Sequence, residues 1–160
     1  MHVSLPGQLM RFEEASVGDI VYIWMRDEQR LGFVFQHNNN RTIAVLENRR
    51  NIGRLPHLLG VGGLSNETVM VLSKVVVRPN LKSMQSGTFP GTGALVWLGG
   101  AGTYMKCTDQ NSVFWFSMST GLSVPRLPGV GTALSFTQWD IGFERPQSID
   151  SIFSFEAQKG

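Results

Sequence analysis

Apolar runs of strand length, rich in β-branched and aromatic residues, recur along this chain. The runs are short, and turn residues interrupt them. Residues 8–12 form a first short strand, and residues 20–25, Ile-Val-Tyr-Ile-Trp-Met, a stronger one, rich in the β-branched and aromatic side chains that strands favour. The polar stretch 26–30 reads as a hairpin loop and 31–36 as its return strand. Asn38, Asn39 and Asn40 supply a turn, since Asn tolerates positive φ, and 42–46 is a third strand, completing a β-meander.

An irregular stretch, 47–65, holds Pro56, His57 and four glycines. Residues 69–77 read as one long strand ended by Arg78-Pro79, because Pro cannot donate to a central ladder. Residues 80–90 form a linker without sustained period. Strands are then expected at 93–98, 103–107, 113–118 and 134–143, with turns at 99–102 and 109–111 and an irregular segment at 122–131. A last strand at 149–155 places Ile149, Phe153 and Phe155 on even spacing. No amphipathic helix of ten residues or more is visible.

Three landmarks occur twice in one order, the mark of an internal duplication. Gly18-Asp19-Ile20-Val21-Tyr22-Ile23 matches Gly93-Ala94-Leu95-Val96-Trp97-Leu98; Arg54-Leu55-Pro56 with Gly60-Val61-Gly62 matches Arg126-Leu127-Pro128 with Gly129-Val130-Gly131; Val77-Arg78-Pro79 matches Glu144-Arg145-Pro146. The expected architecture is all-β and internally duplicated: two small SH3-like barrels packed with approximate two-fold symmetry, one from residues 1–80 and one from 81–160, the second with a C-terminal closing strand. The runner-up is a single β-sandwich or barrel. A unit of 60–70 residues buries only about 60% of its unfolded surface. Each copy therefore needs the other as cover.

Composition supports a packed core: 42% of residues are apolar and only 16% charged. The formal net charge is +2, with nine of the fourteen basic and seven of the twelve acidic residues in positions 1–80, which is no basic or acidic tail. The lone Cys107 excludes an internal disulfide and a Cys-rich zinc site. No apolar run reaches the ~20 residues of a membrane-spanning helix. No signal-peptide pattern opens the chain, so a cytoplasmic protein without membrane contact is expected.

Candidate chemistry is sparse. The segment around Arg49, Arg50, Arg54 and His57 could meet phosphates, with Trp24, Phe33 or Phe35 stacking bases; against this stand Glu47 within it and a second copy offering only Arg126. Gly99-Gly100-Ala101-Gly102-Thr103 lacks the lysine and spacing of a phosphate loop. The histidines His2, His37 and His57 have no paired acidic or nucleophilic signature. Phe114, Trp115 and Phe116 are consecutive, so both faces of their strand need cover, by the other copy or by a partner. His57, Leu58 and Leu59 read as an insertion of the first copy, and Leu58 and Leu59 beside arginines suit an apolar anchor with a polar rim. The reading is a non-catalytic binding or assembly module without a cofactor. A protein partner or self-association is expected, with nucleic acid as the alternative and an enzyme third.

Overall fold

The computed structural model describes residues 7–25, 28–46, 57–59, 67–86, 91–109, 112–128, 132–145 and 149–156. Strands dominate them, with two short 3-10 turns at Phe12–Glu14 and Leu81–Ser83. The first half contributes β1 (Gly7–Arg11), β2 (Ile20–Met25), β3 (Glu28–His37), β4 (Asn40–Leu46), β5 (His57–Leu59), β6 (Thr68–Leu72) and β7 (Val75–Pro79). The second contributes β8 (Met84–Ser86), β9 (Leu95–Leu98), β10 (Gly102–Asp109), β11 (Ser112–Ser117), β12 (Ser123–Val124), β13 (Ala133–Phe136), β14 (Gln138–Glu144) and β15 (Ile149–Glu156). The all-β reading holds.

The ladder of the first half runs β1-β6-β2-β3-β4-β5. That of the second runs β8-β13-β9-β10-β11-β12. Val21 lies opposite Val71 and Gly32, and Val96 opposite Ser135 and Tyr104. At the entry to β2, Gly18 N–H donates to the Val34 carbonyl at 2.7 Å and Val34 N–H to the Asp19 carbonyl at 2.8 Å. At the entry to β9, Gly93 N–H donates to the Lys106 carbonyl at 2.7 Å and Lys106 N–H to the Ala94 carbonyl at 3.1 Å. Both glycines take positive φ, +99° and +84°, which a side chain would resist.

Neither ladder closes into a barrel. Among the described residues, no pairing joins β1 to β5 or β8 to β12. β5 instead meets β10 in parallel, His57 opposite Thr108, and this links the ladders into one open twelve-stranded sheet. The expected pair of closed SH3-like barrels is corrected accordingly, and the twelve-stranded path does not close into one larger barrel either. Burial is reached by packing one ladder face on the other.

The two long strands expected at 69–77 and 134–143 are each broken. The chain bends at Ser73-Lys74, where Lys74 has φ +58°, and at Thr137. β6 and β13 stay in the large sheet, whereas β7 and β14 cross to a three-stranded sheet of order β15-β14-β7. The polar breaks that mark these corners, Ser73-Lys74 and Thr137, are too short to read as turns. The polar stretch 26–30 is also partly strand, since β3 begins at Glu28, and the supposed linker holds β8.

The largest cluster of buried residues is shared between the halves: Phe33, Phe35 and Leu46 from the first meet Leu95, Met105, Phe116, Trp139 and Phe155 from the second. Phe35 and Phe116 stack with centroids 4.1 Å apart at 4°. Trp139 lies against Phe155 at 4.9 Å and its indole N–H donates to the Gly93 carbonyl at 2.8 Å. A smaller cluster lies in each half, around Val21, Ile23, Val34 and Ile43 in the first and around Val96, Leu98, Tyr104 and Trp115 in the second. The halves also touch at a turn, where a Cβ on Gly121 would come within 2.3 Å of Val17 Cγ1.

Candidate interaction surface

Alternation decides which side chains of β2 and β9 face which layer. Val21 and Ile23 are buried in the first satellite cluster, so Ile20, Tyr22 and Trp24 take the opposite face. Val96 and Leu98 do the same in the second half, leaving Leu95 and Trp97 opposite. Residues directly across a ladder share a face. Leu9, Met70 and Tyr22 therefore form one cross-strand row. Ser86, Leu134 and Trp97 form another, with Met84 and Phe136 in the next.

One end of each row lies under the other half. Ile20, Tyr22, Met70 and Leu134 pack against the shared core. The rest of that face is open: Trp97 is 41% exposed, Trp24 47%, Met84 49% and Leu9 50%. The Trp97 ring extends toward the turn after β9, where a Cβ on Gly99 would lie 3.6 Å from its Cη2. Leu81, just before β8, is exposed as well. Two apolar strips thus run out from the core, from Trp24 on β2 and Trp97 on β9 to Leu9 and Met84 on the edge strands β1 and β8. Burial also pushes the Tyr22 hydroxyl above its ordinary pKa.

A polar link joins the halves elsewhere. His37 Nδ1 and Ser123 Oγ are 3.1 Å apart, Asn38 Nδ2 lies 3.1 Å from His37 Nε2, and the imidazole meets Phe114 edge-on at 4.1 Å. Beside it, Gln36 N–H donates to the Gly121 carbonyl at 2.8 Å. This cluster ties β3 to the segment leading into β12, and among the described residues no carboxylate bonds the histidine. Among the described residues, no group of three or more His, Cys, Asp or Glu is placed to hold a metal ion. Cys107 is fully buried, and desolvation raises its thiol well above the ordinary value, which keeps it protonated and unreactive.

The sequence-predicted residues fall in several places. Arg49, Arg50 and Arg54 lie outside the described residues. His57, Leu58 and Leu59 form β5, paired with Val45, Ala44 and Ile43 of β4. β12 holds the same place in the second ladder, with Ser123 opposite Phe116 and Val124 opposite Trp115. His57-Leu58-Leu59 is therefore not an insertion without counterpart. The Arg-Leu-Pro landmarks differ in chain order: Arg126-Leu127-Pro128 follows β12, whereas Arg54-Leu55-Pro56 precedes β5.

Arg126 is exposed. Trp115 is 7% exposed and packs with Val96, Leu98 and Tyr104 of its own half, while Phe116 faces the shared core. The two faces of β11 are thus covered by two different layers. Sequence reasoning missed the strips. The available signal was that both faces of 20–25 and 93–98 are apolar, so each needs two covers, and each ladder supplies only part of one. No known family model, curated protein or solved structure matches this chain.

Proposed function

We propose that this chain is an internally duplicated β scaffold acting as a non-catalytic module that binds a protein partner or assembles through it. Support for the duplication comes from the common strand order of the two ladders and from the paired glycine entries at Gly18 and Gly93. The contact between β7 and β14, antiparallel with Val77 opposite Ile141, is the kind of self-complementary pairing that a two-fold between the halves produces.

The observation that carries the binding reading is the pair of open apolar strips. Trp97 with Met84, and Trp24 with Leu9, lie on the faces that elsewhere form the core. Contiguous apolar surface rimmed by polar residues marks protein contact, and Trp and Met are enriched at such contacts. Arg126, and the loop 47–65 with Arg49, Arg50, Arg54 and the β5 residues His57, Leu58 and Leu59, form the second part of the proposed surface. Loops on a rigid scaffold are where binding residues concentrate.

Site-specific photo-cross-linking in cells tests this. A photoreactive residue at position 97 or 84 is expected to give a discrete protein adduct, and one at the exposed Asn39, in the turn between β3 and β4, none. Equal labelling at all three positions, or none at any, would count against the strips as a contact surface. Adducts that nuclease removes would favour nucleic acid instead.

A further inference from the structure

We draw no further inference here: the strongest candidate, the pair of outer edges of the three-stranded sheet at β7 and β15, with which no strand pairs among the described residues, carries no proposal because nothing in the structure shows what covers them.

Discussion

The two satellite clusters occupy matching register positions and are filled differently. In the first half, Gly32 lies opposite Val21, and Ile43 opposite Val34. In the second, Tyr104 lies opposite Val96, and Trp115 opposite Lys106. At these strand positions the first uses small and β-branched residues, with Phe12 added from the turn before β2; the second uses two large aromatics, with the Lys106 ammonium 5.9 Å over the Trp115 ring. A Cβ on Gly32 would meet Ile43 Cγ2 at 2.4 Å, so Ile43 already fills the space that a larger residue at position 32 needs. Turns and ladder bonds set the strand order, and each cluster then fills its volume in its own way. The shared core has no such freedom, because one set of side chains serves both halves.

That contrast predicts where a substitution spreads. Phe116→Ala removes the ring stacked on Phe35 and is expected to cost about 3–5 kcal/mol. Denaturant unfolding followed by tryptophan fluorescence and by circular dichroism should show one coincident transition at a lower midpoint. A biphasic curve would mean that the halves unfold independently.

Gly32→Ala sharpens the comparison within one cluster. Its methyl collides with Ile43 Cγ2 and approaches the Ala44 carbonyl to 3.1 Å, and overpacking of this kind costs about 1–3 kcal/mol. Ile43→Ala, which removes the Cγ2 methyl, should make the Gly32→Ala cost smaller, a coupling that a double-mutant cycle reads directly. Additive costs would show that the Gly32–Ile43 contact does not limit that cluster.

The smallest effect concerns pH. Cys107 lies in the shared core, where burial raises its thiol pKa. Unfolding returns it to about 8.5. Below that value both states hold the proton and the thiol adds no pH dependence. Above it the unfolded chain releases the proton and the folded one keeps it, so stability falls as pH rises, by up to about 1.4 kcal/mol per unit. Cys107→Val is expected to flatten the slope of the urea midpoint between neutral and alkaline pH, and an unchanged slope would place the titration elsewhere.

Much of the ladder was legible in the sequence. The run Ile20–Met25 and the turn at Gly18 declared themselves through β-branched residues and a glycine that needs positive φ. The two corners at Lys74 and Thr137 were not legible, because alternation is blind to a strand changing sheets. Strands of two or three residues, such as β5, β8 and β12, are too short to carry a period. The repeated Arg-Leu-Pro words were legible but misleading: in chain order one precedes β5 and the other follows β12. The candidate surface was half legible. Apolar residues on both faces of β2 and β9 demanded cover, but which of them lacks it depends on how far one half extends over the other.

The claim on which the rest depends is that one shared core makes the two halves a single folding unit. Expressing residues 1–80 and 81–160 separately, then mixing them, tests it most directly. Separation strips Phe33, Phe35 and Leu46 from Met105, Phe116 and Trp139. Each half alone is expected to lack a cooperative thermal transition, and the mixture to recover one. Two soluble halves that each melt cooperatively on their own, unchanged by mixing, would contradict the account.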